Sequence, residues 1–531
     1  MGVYDSDLYN KQLNLKSMKT KNYMFLTLLL VWSFALHATT YYVRATGDDS
    51  NDGLAPETAV LTLRQALDKA ATDGDVINIS GTVNFHKAVV SMKTIVKDIT
   101  IQGEDKATSV VVGTVTNGSR SMEIGTSTTS PTVLIQNLTF KDFDASGSKL
   151  GNVFDFTRGT FTCRNVNFEN NIAQYGGAIE IRNPHLVAGA STVLIQDCYF
   201  KNNSALKTAI DATARGGAIY IYTAASTVNN PLNLTIDRCT FDANYSETDG
   251  SALFFMISAS DYQKQVLVQN CTFANNANKN GGLNADQNAG FGAILVRNTG
   301  TGTFNSEVKF INNTIAFNQN ERSGFPPGIH NNGYPNLTVI NNIFYGNTHP
   351  GGTLSFRTTV KLVESRNNLA DIVYSGGGLN LATAFSGNTE NISGTDLKLA
   401  TSLANNGGET TTLSIATGSI AHDAGYVTGA PEIDQRGSSR IGNPDIGAYE
   451  LGGTFSTVND IHNNPEYKSN FFLVKEGLIS NVDGTVQIYT IEGKCVKSGL
   501  VKEGQLINLR SGIYVIHLIT VNSKLVQKVL L

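Results

Sequence analysis

A pattern of seven or eight residues that ends in phenylalanine recurs through the middle of the chain and constrains its fold more than any other feature. Its copies lie at 134–140, 161–168, 193–200, 234–241 and 266–273, with weaker ones at 308–317 and 337–344. A second pattern, Gly-Gly-Ala-Ile or a close variant, recurs in phase at 176–179, 216–219, 250–253 and 292–294. Each period of about 30–40 residues therefore holds three short strands with alternating apolar residues.

Three short strands per period are typical of one coil of a parallel β-helix, in which each strand pairs with its counterpart one coil away. Equivalent side chains then stack at the strand spacing of about 4.8 Å. We expect an internal aromatic ladder of Phe140, Phe168, Phe200, Phe241 and Phe273. At a bend we expect a polar ladder of Asn137, Asn165, Asp197 and Asn270, which Arg238 interrupts.

The cysteines of the repeats fit the same scheme. Cys198, Cys239 and Cys271 take one inward position in successive coils, where cysteine acts as a small apolar side chain. Side chains one coil apart have Cβ atoms at about the coil spacing, outside the ~3.5–4.5 Å that a disulfide needs. We therefore expect free thiols.

The two ends of the chain carry different patterns. Residues 1–38 combine basic residues, a short apolar run and small residues, which is typical of a secretory signal peptide, with Met18 as an alternative start. The capping-box sequence at 62–65 predicts a short helix before a first strand at 76–79. Alternating apolar residues at 463–531 predict a small β-sandwich.

The predicted fold class is thus all-β. It consists of a right-handed parallel β-helix with a short N-terminal capping helix over residues 39–451, a linker at 452–462, and the C-terminal β-sandwich.

Three parts of the chain resemble known bacterial families. The Gly-Gly-Ala-Ile and Phe-x-x-Asn patterns resemble the repeats of polymorphic outer-membrane proteins, which are surface β-helices. Within 397–451, the motifs at 403–410, 420–425, 434–437 and 445–450 resemble the choice-of-anchor Q domain. In the C-terminal region, the stretches at 486–494, 507–515 and 524–531 resemble the sorting domain of type IX secretion substrates.

These resemblances imply where the protein goes. The type IX family implies recognition by that secretion machinery, transport across the outer membrane, and a final location at the cell surface or outside the cell. The choice-of-anchor Q family implies a surface protein but no reaction. From the residues themselves, we expect Asp434, Arg436, Asp445 and Glu450 to form a polar network that closes the last coil.

Charge and motif content limit the function classes. A net charge of -4, from 40 basic and 44 acidic residues, gives no reason to expect nucleic acid as a partner. After the leader, no apolar run is typical of a transmembrane segment. Residues 48–53 match the first half of a calcium loop, but Ala59 replaces its closing glutamate, so a turn is favoured. We predict no catalytic residues, no metal and no cofactor.

The outward positions of the Gly-Gly-Ala-Ile strands carry a candidate ligand surface. Alternation places Glu180, Arg182, Tyr220, Tyr222, Phe254 and Arg297 on one strip. Exposed aromatic residues of this kind mark interaction surfaces, and such rings can stack on sugars. The favoured function is an adhesin that binds an extracellular glycan or a host surface. In the alternative interpretation, an insert such as 279–290 folds over this strip and buries it.

An enzyme on the same scaffold is the alternative function. Polysaccharide lyases and glycoside hydrolases are found among pectate-lyase-like β-helices, where catalysis relies on clustered acidic ligands and a basic residue. No such cluster stands out in this sequence, and fold alone does not assign a reaction.

Deletion of residues 463–531 tests the export prediction. The β-helix repeats lie wholly upstream, so the truncated chain should fold but remain in the periplasm of a type IX-competent cell. Fractionation and protease treatment of intact cells, with the full-length chain as control, measure its location. Normal surface delivery of the truncated chain would contradict the assignment.

Overall fold

The computed structural model describes most of the chain from residue 38 onward. The described ranges are 38–86, 92–113, 122–144, 152–183, 189–208, 212–223, 230–258, 263–279, 292–299, 305–375, 394–455, 471–474, 477–480, 484–490, 494–502, 505–509, 513–519 and 524–530. The predicted signal peptide, apart from Ala38, lies outside these ranges, as does most of the insert at 279–290. Within them, no helix is long and apolar enough to cross a bilayer.

Three parallel sheets run side by side along the body of the protein. The first, called the long sheet here, contains Thr40–Arg44, Asp75–Asn84, Ile99–Gly103, Ser109–Val112, Thr132–Lys141, Thr160–Glu169, Ser191–Gln196, Tyr199–Lys201, Leu232–Asp237, Thr240–Asp242, Lys264–Gln269, Thr272–Ala274, Glu307–Ile311, Thr314–Ala316, Leu337–Ile340, Ile343–Tyr345, Glu364–Arg366 and Leu369–Ala370.

The other two sheets complete each coil. The ten-stranded sheet contains Lys93–Ile95, Met122–Ile124, Phe154–Phe156, Ile179–Asn183, Ile219–Thr223, Leu253–Ile257, Ile294–Asn298, Ile329–Asn332, Phe356–Thr358 and Val373–Ser375. The third sheet contains Ile172–Ala173, Ser204–Ala205, Tyr245–Ser246, Ala277–Asn278, Gln319–Asn320, Thr348–His349 and Gly352–Thr353. Almost all of the pairings are parallel and in register from coil to coil, which confirms the predicted β-helix.

The predicted aromatic ladder is confirmed. Phe140, Phe168, Phe200, Phe241 and Phe273 are fully buried. Their rings stack in order, with centroid distances of 5.9, 4.9, 4.7 and 4.6 Å. Because neighbouring strands pair in register, each ring lies over its counterpart, and the stack fills the core along four successive steps.

The polar ladder at the bend is confirmed at its start and corrected at Arg238. Asn165 donates from Nδ2 to Oδ1 of Asn137 at 2.9 Å. Arg238 adopts the same left-handed backbone conformation as its neighbours in the series, with φ of 53°. Its guanidinium donates two hydrogen bonds of 2.8 Å to Asp197. The arginine therefore does not interrupt the contact between coils. Its long side chain forms an ion pair in place of the hydrogen bond between side-chain amides.

A second asparagine ladder, which the repeat pattern alone did not predict, lies inside the turn after the phenylalanines. Its members are Asn171, Asn203, Asn244, Asn276, Asn318 and Asn347, and all are fully buried. In the first five members, Nδ2 donates to Oδ1 of the next member at 2.8–3.0 Å. Each Nδ2 also donates to a backbone carbonyl of the preceding coil, such as that of Phe200 for Asn244. The ladder thus satisfies polar groups in the interior of the solenoid.

The cysteines of the repeats are buried free thiols, as predicted. Cys198 lies in register with Val166, and Cys239 and Cys271 follow at the same position. The nearest sulfur of the strand below, Sγ of Cys163, is 3.8 Å from Sγ of Cys198. This distance is far longer than the ~2.05 Å of a disulfide bond.

The N-terminal end confirms the capping helix and corrects the first strand. The helix Leu63–Lys69 follows a single turn of 3-10 helix at Pro56–Thr58, and Oγ1 of Thr62 accepts from the backbone N–H of Gln65 at 3.3 Å. Leu63, Ala66 and Leu67 are buried against the first coil. The strand predicted at 76–79 is the second of the long sheet, because Thr40–Arg44 precedes it and pairs with it.

Residues 394–455, called the side segment here, correct the prediction that this region closes the last coil. The segment begins with the short helix Gly394–Leu397 and pairs Ser438–Ser439 with Thr454–Phe455. Oγ1 of Thr410 donates to the carbonyl of Arg238 at 3.1 Å, whereas Asn367 donates to the carbonyl of Ala424 at 2.9 Å. The segment therefore runs along the outside of the long sheet, where side-chain hydroxyls and amides of several coils also donate to its backbone carbonyls.

The expected polar network exists within the side segment. Arg436 pairs with Asp434 at 2.7 Å, and Arg440 pairs with Glu450 at 3.0 Å. The backbone N–H groups of Asp445 and Glu450 donate to Glu450 and Asp434, respectively. These buried charges therefore link separate parts of the side segment to one another.

The C-terminal region forms two small antiparallel sheets, in agreement with the predicted alternation. One contains Phe471–Val474, Gly477–Ser480 and Leu506–Asn508. The other contains Gly484–Thr490, Cys495–Val501, Ile513–Ile519 and Lys524–Leu530.

Substitution of Asn244 with alanine tests the buried ladder. The side chain of Asn244 makes four hydrogen bonds, two with Asn203, one with Asn276 and one with Phe200. Their loss leaves several buried polar groups without partners, so Asn244→Ala should cost about 3 kcal/mol or more. Denaturant unfolding measures the loss. The exposed Asn233 provides the matched control, and equal effects of Asn233→Ala and Asn244→Ala would contradict the ladder.

Candidate functional site

The outward side chains of the ten-stranded sheet form one continuous line, called the central row here. Strand pairing places each residue directly beside the next one along the axis of the solenoid. The row consists of Thr94, Glu123, Asp155, Glu180, Tyr220, Phe254, Leu295, His330, Arg357 and Tyr374. Its chemistry changes along the axis from acidic, through aromatic and aliphatic, to basic.

At the acidic end, three carboxylates stand on neighbouring strands. Asp155 is fully buried and Glu180 is 3% exposed. Arg182 donates to both oxygens of Asp155 and lies 3.4 Å from Glu180. Burial alone would lower the pKa of Arg182, but Asp155 and Glu180 outweigh it and raise the pKa. Asp155 and Glu180 are therefore paired with an arginine within the protein.

In the middle of the row, the aromatic side chains pack against one another. The ring of Tyr220 lies 5.1 Å from that of Tyr175 and 5.5 Å from that of Phe254. Tyr220 is 6% exposed and Phe254 is fully buried, with the guanidinium of Arg215 over its ring at 5.2 Å. Burial raises the pKa of Tyr220, so its hydroxyl stays protonated.

At the basic end, His330 lies between Leu295 and Arg357 in the row. The imidazole is almost fully buried. Burial, together with the positive charges of Arg357 and Arg297, lowers the pKa of His330 to about 3. His330 is therefore neutral at physiological pH, and the charge of this region comes from the arginines.

A second line, called the outer row here, lies beside the central row. It consists of Arg182, Tyr222, Met256, Arg297 and Asn332. All five are half-buried. The rings of Tyr220 and Tyr222 are parallel, with centroids 6.3 Å apart. The exposed part of the surface is therefore a polar and aromatic edge that rests on a buried row.

The structure brings all six predicted ligand residues together on this surface, but it corrects their exposure. Glu180, Tyr220 and Phe254 are buried, so a ligand cannot reach the carboxylate or stack on the two rings. Arg182, Tyr222 and Arg297 retain access to solvent. Alternation along a strand identified the strip, whereas burial depends on neighbouring turns that alternation does not describe. His330 and Arg357 were not predicted as members of the site, although strand register places them in the same row.

Two other places carry clustered acidic side chains of the kind that can hold a metal ion. Among the described residues, one group of side chains could hold a metal ion: His422, Asp423 and Asp445, whose ligand atoms lie within 4.8 Å of one another. Both oxygens of Asp445 already accept backbone N–H groups. In the loop at 48–53, Asp48 and Asp52 accept hydrogen bonds from nearby residues of the same loop, as in a turn.

No family model matches the chain, and no curated protein matches it. One similar solved structure is the complex of XylC with xylose, which shares 11% sequence identity with this chain. The likeness covers 78% of this chain and 99% of the other, with a TM-score of 0.31. A likeness of this size carries no argument about the site.

Alanine substitution of the two tyrosines should separate the two rows. Tyr220→Ala removes a buried ring and should cost about 3 kcal/mol or more in stability. Tyr222→Ala removes a half-exposed ring and should cost about 1 kcal/mol or less. Unfolding of both variants beside the unsubstituted protein measures the difference. A larger loss for Tyr222→Ala would contradict the arrangement of the rows.

Proposed function

We propose that the protein is a cell-surface β-helix that binds an extracellular glycan along the outer row of the ten-stranded sheet. The observation that carries this proposal is the outer row itself, in which the half-exposed Tyr222 and Met256 lie between Arg182 and Arg297. An aromatic ring flanked by charged hydrogen-bond donors offers both stacking and polar contacts to a sugar.

The buried central row supports this function. The ring of Tyr222 lies parallel to that of Tyr220, and Arg182 donates a hydrogen bond to Asp155. Side chains that are held in place before binding lose less conformational freedom when the ligand arrives. The outer row is thus a preorganised surface on a rigid scaffold.

Location at the cell surface belongs to the same proposal. The motifs at 486–494, 507–515 and 524–531 support export by the type IX machinery, and those at 403–450 support a surface role. A binding protein at the outer face of the cell requires no cofactor and no catalytic group.

A glycan array with the purified full-length chain tests the binding function. Tyr222→Ala should weaken binding to any captured glycan by about fivefold or more, since truncation of a central contact often costs over 1 kcal/mol. Thr192→Ala, an exposed change on the long sheet, serves as control and should bind normally. Bound glycans are also checked for cleavage. Unchanged binding by Tyr222→Ala would contradict the site. Cleavage of a bound glycan would show that the protein is an enzyme.

A further inference from the structure

The basic end of the central and outer rows carries two arginines, Arg297 and Arg357, on neighbouring parts of the ten-stranded sheet. Five other buried or half-buried arginines have carboxylate partners: Arg182 with Asp155, Arg215 with Asp249, Arg238 with Asp197, Arg436 with Asp434, and Arg440 with Glu450. Arg297 and Arg357 are also half-buried. Within the described ranges, neither of them forms an ion pair.

The two unpaired guanidiniums belong to one place. Arg357 follows His330 in the central row, and Arg297 lies in the outer row beside Asn332. Both are close enough to His330 for their charges to disfavour its protonation. Two positive charges thus surround a neutral, buried imidazole. Like charges that are brought together without a counterion repel each other, and a bound anion would relieve this repulsion.

Aromatic rings hold Arg357 in position. Its guanidinium carbon lies 5.7 Å from the ring centroid of Phe325 and 5.4 Å from that of Tyr374. One nitrogen, Nη1, donates to the carbonyl of Gly324 at 3.3 Å. The Nε atom is buried and has no hydrogen-bond partner within the described ranges. Because Tyr374 is 52% exposed, the fork of Arg357 lies beside a ring that an incoming ligand can reach.

We propose that Arg297 and Arg357 bind the carboxylate or sulfate group of an anionic glycan, while Tyr374 and Tyr222 contact its sugar rings. This inference rests on the proposed glycan-binding function and names the class of ligand. Arginine suits the role because its planar fork matches the geometry of carboxylate-type oxygens. The acidic end of the strip cannot serve in the same way, because its carboxylates already neutralise Arg182.

Binding of three polysaccharides to the full-length chain tests the proposal. Polygalacturonate carries carboxylates, dextran sulfate carries sulfates, and dextran is neutral. We expect at least one of the two polyanions to bind at moderate salt and dextran to bind at least about tenfold more weakly, as a charge-assisted contact predicts. Preference for one polyanion distinguishes carboxylate from sulfate. Failure of both polyanions to bind would overturn the proposal.

Arg297→Gln and Arg357→Gln should each weaken binding of the preferred polyanion by about tenfold or more. Lys309→Gln is the matched control, because it removes the same charge from the long sheet, where Lys309 is paired with Glu307. Equal losses in all three variants would show attraction by net charge alone and overturn the site. Melting temperatures verify folding. If Arg357→Gln does not fold, Arg297→Gln in the outer row decides the outcome.

Two further outcomes keep the inference separate from the function on which it rests. If neutral glycans bind and depend on Tyr222 but not on the arginines, the glycan-binding function stands and the anionic ligand is wrong. If poly-glutamate binds as tightly as the preferred polysaccharide and depends on the same arginines, the site recognises anions but not glycans, and the proposal is overturned.

Discussion

The asparagine ladder in the turn between the long sheet and the third sheet is the interaction on which the rest of the structure depends. Every coil must turn there, and a turn inside a stack of coils buries backbone groups that no strand can pair. The Nδ2 group of each ladder asparagine donates to the carbonyl of a residue one coil earlier, and for five of them that residue is a ladder phenylalanine. The amide ladder therefore fixes the register that the aromatic ladder requires.

A further asparagine ladder occupies one inward position of the later coils. Cys198, Cys239 and Cys271 occupy this position in three coils, and asparagine replaces cysteine in the next ones. Asn313 donates to Asn342, and Asn342 donates to Asn368, at 3.0 Å each. The backbone N–H of Cys271 donates to Oδ1 of Asn313. A small apolar thiol and a bonded amide can both fill this space, but the amide is stable only where its neighbours continue the ladder.

Much of the fold could be predicted because it repeats. Repeats with period-2 alternation indicate parallel coils, and the phenylalanines then stack without further assumption. The asparagine ladder was harder to foresee, since asparagine in a turn is usually explained by its own turn geometry. The course of the side segment could not be foreseen, because nothing in its local sequence states which coils it contacts. Only the folded chain places Gln435 beside Thr240 and Thr272, which are about 160 to 200 residues away.

In the candidate site, the direction of the side chains could be predicted from the sequence, whereas their burial and charge pairing could not. Alternation gave the direction of Tyr220, Tyr222 and Phe254, and the structure agrees with it. Exposure depends on what lies beyond the sheet, as Arg215 over Phe254 shows. Charge pairing is likewise a property of the assembled row. Asp155 and Arg182 are separated by 27 residues but lie on adjacent strands. Arg297 and Arg357 lie two strands apart, where no described residue neutralises them. Because a protein gains nothing in stability from unpaired, half-buried charges, their place at one end of an ordered row is more readily explained by a ligand than by folding.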